Sequence, residues 1–130
     1  MPEPRAKTLE YAASVERDGR IEALGESLRP PESWAAEHLV LAGLVRCSLT
    51  SLRYHARRAG IEVTASGQAS GTVTRRDEDD RYAFVEIECR LDVELTPPAD
   101  DLPSLLAKAE RDCFIGASLT TKPCYVWNVA

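Results

Sequence analysis

Residues 33–60, SWAAEHLVLAGLVRCSLTSLRYHARRAG, constrain this chain most, because they place its most apolar run directly ahead of a cysteine and between two backbone breaks. Pro30-Pro31 precedes the stretch and Gly60 follows it. The segment therefore reads as one long helix, with Ser33 as N-cap and His55, Arg57 and Arg58 complementing the dipole in its last turns. Residues 39–45 are apolar on every side, which in a helix implies burial all round. The expectation is a long buried central helix that the other elements pack around.

The flanking segments read mostly as strands. Residues 8–15 and 21–24 pair across an Asp18-Gly19 turn, and the polar, proline-rich GESLRPPES then leads to the helix. After Gly60 an uneven alternation runs from Ile61 to Thr74, with Gly67 and Gly71 allowing a bend or bulge, and residues 75–81, RRDEDDR, form a solvated turn. Residues 82–95 carry the clearest pattern. Val85, Ile87, Cys89, Leu91, Val93 and Leu95 share one face, and charged side chains take the other. Asp101 is placed to cap a helix whose apolar face is Leu102, Leu105, Leu106, Ala109 and Cys113. A short helical or irregular piece through Ser118 and Leu119 ends at Lys122-Pro123, and CYVWNV is a terminal strand. Strands, long helix, strands, helix, strand: the order predicts an α+β fold, a curved antiparallel sheet with helices on one side. The 130 residues suit a single domain over 1–130.

Sixteen Lys and Arg against 21 Asp and Glu give a net charge of -5, without a basic stripe interleaved with aromatics, which argues against a nucleic-acid partner. No apolar run approaches the roughly 20 residues of a membrane span, and the opening MPEPRAKTLE is not a signal segment, so the expected location is the cytoplasm. In that reducing compartment Cys47, Cys89, Cys113 and Cys124 are expected as buried or redox-active thiols rather than structural bridges, and no Cys/His cluster suggests a metal.

Cys47 and Cys113 are each accounted for as small core residues. Both, however, lie on helices facing one core. If they meet, one thiol oxidised to a sulfenic acid is resolved by the other as a disulfide. Cys89 and Cys124 read as inert packing, His38 and His55 as surface or helix-end residues, and Trp34 and Trp127 as core or interface. Arg17, beside the ERDGR turn, reads as a solvated hairpin arginine. Glu37, in the first turns of an apolar helix, is either a dipole partner or a buried carboxylate in need of an arginine, for which Arg17 is a candidate.

These residues also carry a resemblance. AEHLVLAGLVRC resembles the central-helix motif of the OsmC/Ohr family, the osmotically inducible and organic hydroperoxide resistance proteins, in which a glutamate precedes the peroxidatic cysteine by ten residues, as Glu37 precedes Cys47. ERDGR resembles the family's arginine-bearing turn and puts Arg17 on its catalytic arginine. AERDCFIGASL resembles the second motif and puts Cys113 on the resolving cysteine. The chain departs from the common pattern at Phe114, where many members have proline, at Gly116, often serine, and at Ala36, commonly proline.

The resemblance implies an OsmC-like fold in an intertwined homodimer and thiol-dependent reduction of organic hydroperoxides. Cys47 attacks, Cys113 resolves, and an external dithiol, in the family a lipoylated protein, restores the thiols with no bound cofactor. Arg17 would stabilise the thiolate and Glu37 would aim the guanidinium. Ten residues at about 1.5 Å rise put Glu37 roughly 15 Å along the axis from Cys47. Glu37, with Arg17, is therefore expected to serve Cys47 of the other chain. The alternative reading is a non-catalytic OsmC-like protein that holds a small hydrophobic ligand in the interface pocket, and a third is a structural dimer with buried cysteines only.

Overall fold

The computed structural model describes residues 6–130, in two compact units divided between Ala35 and Ala36. In the first unit, β1 (Ser14–Val15), β2 (Ile21–Ala23) and β3 (Glu26–Leu28) form an antiparallel sheet in that order. Only two residues of the expected strand over 8–15 are strand, because β2 offers only a short partner. β3 lies where a polar lead was expected. A two-residue turn, Leu24 at φ 55 and Gly25 at φ 75, folds it back onto β2, giving the tight hairpin geometry that matches strand twist. All of β3 is exposed, so no alternation marks it in the sequence.

In the second unit, α1 (Ala36–Arg58) begins three residues after Ser33, because Pro31 and Trp34 close a turn first (Trp34 N–H to Pro31 carbonyl, 3.0 Å). Its end matches expectation. Gly60, at φ 74, donates to the Arg57 carbonyl and Ile61 to the Ala56 carbonyl, the paired bonds of a glycine C-cap. The buried residues of α1 are Leu44, Ser48, Leu49, Ser51, Leu52 and Ala56. Burial is therefore concentrated on one face of its C-terminal half; Val40 and Ala42, in the all-apolar run, are exposed in the single chain.

β4 (Glu62–Arg75) and β5 (Tyr82–Thr96) form a long antiparallel hairpin. Ile87, Cys89, Leu91, Val93 and Leu95 face the core, but Val85 is exposed. The register shift at Thr72/Val73 pairs Val73 with Phe84, so Phe84 packs against the core and Val85 turns out. α2 (Leu102–Arg111) starts at Asp101, whose carboxylate accepts from Ser104 N–H at 3.1 Å, and α3 (Phe114–Ser118) follows. β6 (Cys124–Val129) then joins β5 in parallel, so the sheet is mixed rather than wholly antiparallel. The two intervening helices supply the crossover that parallel pairing needs. The fold class is α+β as expected. Among the described residues, no helix is long and apolar enough to cross a membrane.

α1 crosses the sheet over Gly67. A Cβ there would stand 2.6 Å from Leu91 Cδ2, 2.8 Å from the Arg90 carbonyl and 3.0 Å from Val45 Cγ1. Because backbone cannot yield as a side-chain tip does, Gly67→Ala is expected to cost about 1–3 kcal/mol, measured as a lower urea midpoint.

Candidate active site

Cys47 is half-buried on α1, and the Ile115 N–H of α3 points at its sulfur from 3.5 Å. Cys113 is fully buried at the N-cap of α3, near enough to Cys47 for each thiol to shift the ionisation of the other, and the amide next to the one on Cys47, that of Gly116, points at its sulfur from 3.4 Å. The structure thus brings Cys47 and Cys113 together. Glu37 is exposed in the first turn of α1, on the same helix as Cys47 but nearly three turns earlier. Arg17 belongs to the first unit, exposed on a turn closed by Gly19 N–H to the Glu16 carbonyl (2.9 Å), where Asp18 is held by Arg20 and Arg29.

The two thiols differ in environment. Burial is the largest influence on Cys47 and raises its pKa; the neighbouring Cys113 raises it further, against hydrogen bonds from the Ile115 and Phe114 amides. Burial opposes ionisation of Cys113 too. There, the Ser48 hydroxyl beside it and hydrogen bonds from the Gly116 amide, Cys47 and Tyr125 together outweigh it and leave the thiol below its usual range. Ser48 Oγ donates to the Leu44 carbonyl at 2.8 Å and stands 3.4 Å from Cys113 Sγ and 3.3 Å from the Tyr125 hydroxyl, while Gly116 N–H is 3.4 Å from the same sulfur. Donors therefore converge on Cys113, which ionises more readily than Cys47.

Gly116 answers one of the sequence departures. A Cβ at this position would lie 2.9 Å from the Tyr125 hydroxyl, so a serine and this tyrosine do not fit together without a shift. Phe114, the other departure near Cys113, is 56% exposed and helps wall a cavity of about 330 Å³. Cys47, Thr50, Ser51, Tyr54 and Asp112 complete the lining. This volume is at the small end of ligand sites, about 300–1,000 Å³. Asp112 bonds Arg111 at 2.9 Å and His55 Nε2 at 2.7 Å; the Arg111 guanidinium, with help from His55, holds its carboxyl down to about 2. His55 lies in the last turn of α1, a helix-end residue as expected, with its side chain only 12% exposed.

Cys89 is fully buried, as expected, whereas Cys124 is exposed rather than packed. Trp34 is half exposed, and Trp127 stacks on Tyr125 and donates to Glu110 Oε2 at 2.9 Å. The site residues that the sequence did not reveal are Ser48, Ser51, Tyr54 and Tyr125. For the first two a signal exists: they are hydroxyls set among the buried positions of α1. Tyr125 reaches the site because it pairs with Cys89 across the parallel β5–β6 ladder, which no local pattern announces.

The OsmC-like protein family matches residues 30–127, and the chain belongs to that family. An OsmC-like protein of unknown function from Vibrio cholerae has a TM-score of 0.74 at 17% identity, over 92% of this chain and 99% of that one. An organic hydroperoxide resistance protein from Elizabethkingia anophelis gives 0.64 at 17% identity, over 98% and 100%. The organic hydroperoxide resistance protein OhrB of Bacillus subtilis gives 0.54 at 18%, over 95% and 98%. At such identities the likeness establishes the fold. No curated protein sequence matches the chain.

Burial pushes the Cys89 thiol up to about 11, against 9.0 for an unperturbed thiol. Between these values the unfolded chain has lost a proton that the native state keeps, so the stabilisation is complete below 9.0 and is lost as pH rises toward 11. Stability is expected to fall with pH in this window, by at most about 1.4 kcal/mol per pH unit from this group. Urea unfolding across the window should show a shallower decline for Cys89→Ala than for the wild type.

Proposed function

We propose that this chain is a thiol-dependent peroxidase that reduces organic hydroperoxides. The observation that supports this best is that Cys47 lines a cavity while neighbouring the buried Cys113, the two sulfurs facing the successive amides of Ile115 and Gly116. In the first step the Cys47 thiolate attacks the terminal peroxide oxygen. The S–O bond forms and the O–O bond breaks; the peroxide is reduced to an alkoxide, which takes a proton and leaves as the alcohol, while Cys47 is oxidised to a sulfenic acid. Cys113, as thiolate, then attacks the Cys47 sulfur and expels hydroxide, which leaves as water. An external dithiol, a lipoylated protein in the OsmC/Ohr setting, reduces the resulting disulfide; no cofactor is bound.

The first step needs a thiolate at a position where burial holds the proton on. Arg17 is proposed as the cation that offsets this, with Glu37 orienting it, both from the second chain of a homodimer. Two observations support the dimer: the nearly three turns between Glu37 and Cys47 on one helix, and the apolar Val40 and Ala42 left exposed on α1. The raised thiol of Cys47 favours a second reading, an OsmC-like protein that binds a small hydrophobic ligand in the cavity without reaction.

Intact mass after stoichiometric cumene hydroperoxide separates the two. A peroxidase loses two hydrogens, mapped to a Cys47–Cys113 disulfide, and accumulates Cys47 sulfenic acid in Cys113→Ser; unchanged mass under excess peroxide supports the binding protein. Arg17→Ala is expected to slow Cys47 oxidation roughly 100-fold without lowering the urea midpoint. Mixing Arg17→Ala with Cys47→Ser should restore activity if the site is shared between chains, because each heterodimer then contains one complete site. No recovery would place Arg17 and Cys47 in the same chain.

A further inference from the structure

Three aliphatic hydroxyls lie close together on α1, and two are satisfied in the same way. Ser48 donates to the Leu44 carbonyl at 2.8 Å and Thr50 to the Arg46 carbonyl at 2.9 Å, each four residues back. Ser51 does otherwise. It is only 7% exposed, and its Oγ is buried without any hydrogen-bond partner among the described residues. A buried hydroxyl with nothing to bond is costly to maintain and calls for an explanation.

Its position supplies one. Ser51 lies one helical turn beyond Cys47, so the two side chains share a face, and both line the 330 Å³ cavity. The rings of Tyr54 and Phe114 border the same space. A hydroperoxide held there with its organic group against the rings has its oxygens beside the sulfur, and rotation of Ser51 about χ1 turns its hydroxyl from the cavity wall toward them.

We propose that Ser51 is a catalytic residue whose hydroxyl donates a hydrogen bond to the substituted oxygen of the hydroperoxide, the one that leaves as the alcohol. This rests on the peroxidase reading. As the S–O bond forms at Cys47, the electron pair of the breaking O–O bond collects on the substituted oxygen. Ser51 stabilises that charge and keeps its own proton; water supplies the proton that completes the alcohol. The same hydrogen bond turns the terminal oxygen toward the sulfur, so that attack occurs there.

Stopped-flow oxidation of Cys47 by cumene hydroperoxide in wild type, Ser51→Ala and Ser51→Thr tests the role, with iodoacetamide alkylation of Cys47 as the control. Alkylation reads the thiolate but has no O–O bond to break. The alanine variant is expected to oxidise roughly ten- to a hundredfold more slowly while alkylating within twofold of wild type. Its urea midpoint should be unchanged or higher, because the replaced hydroxyl has no partner to lose. Threonine, which keeps the donor, should recover most of the rate. An alanine variant that oxidises at the wild-type rate overturns the role of Ser51 alone. So does equal slowing of oxidation and alkylation, because the effect would then act through the thiol. A wild-type protein inert to the hydroperoxide overturns the peroxidase reading and this inference with it.

Discussion

Leu44, Ser48, Leu52 and Ala56 recur every four residues on α1, and each is fully buried. This stripe fixes the rotation of the helix against β4 and α2, and much else in the second unit follows from that angle. Gly67 must lack a side chain because the rotation brings Val45 down onto β4. The adjoining stripe, Cys47, Thr50, Ser51 and Tyr54, is placed at the margin of the core, where it lines the cavity. A cysteine one position later would be as buried as Ser48. At position 47 it is half-buried, close enough to the core to meet Cys113 and far enough out to meet a ligand.

The two thiols are made unequal by their neighbours. Cys113 has the Ser48 hydroxyl and the Gly116 amide at short range and Tyr125 as a further partner, with the tyrosine itself pushed up by burial. Cys47 receives backbone amides only, and it faces the other sulfur. In a peroxidase cycle this inequality suits the second step. A resolving thiol that ionises readily attacks as soon as the sulfenic acid forms, and it does so from a site that bulk peroxide cannot enter, since Cys113 has no exposed surface.

What the sequence disclosed was whatever rests on local chemistry. The alternation from Ile87 to Leu95, the Asp101 cap, the α2 stripe as far as Ala109 and the Gly60 stop are all present as expected, because each is specified by residues within a few positions; Cys113, expected at the end of that stripe, instead lies beyond the end of α2 at Arg111, as the extended N-cap of α3. Features set by pairing across distance were not visible. β6 lies parallel to β5, and its Cys124 is exposed; the phase slip at Thr72/Val73 exchanges Val85 for Phe84; β3 carries no buried residue at all. In the site the same division holds. The cysteines stood out by residue type, but the partners that tune them, Ser48 and Tyr125, arrive from the next helix position and from a strand 77 residues away.

The remaining question is where the charge that frees Cys47 comes from. The hydrogen bonds that favour its thiolate come from the neutral Ile115 and Phe114 amides alone, and burial and the neighbouring Cys113 act against ionisation. Neutral donors stabilise an anion only in part, so a buried thiolate calls for a cation. A second-chain arginine is a consistent source, because the apolar run at the start of α1 is the part of the helix that the single chain leaves uncovered. Covering Val40 and Ala42 and delivering the charge would then be one event. In the proposed dimer, association and not the fold alone would set the reactivity of Cys47.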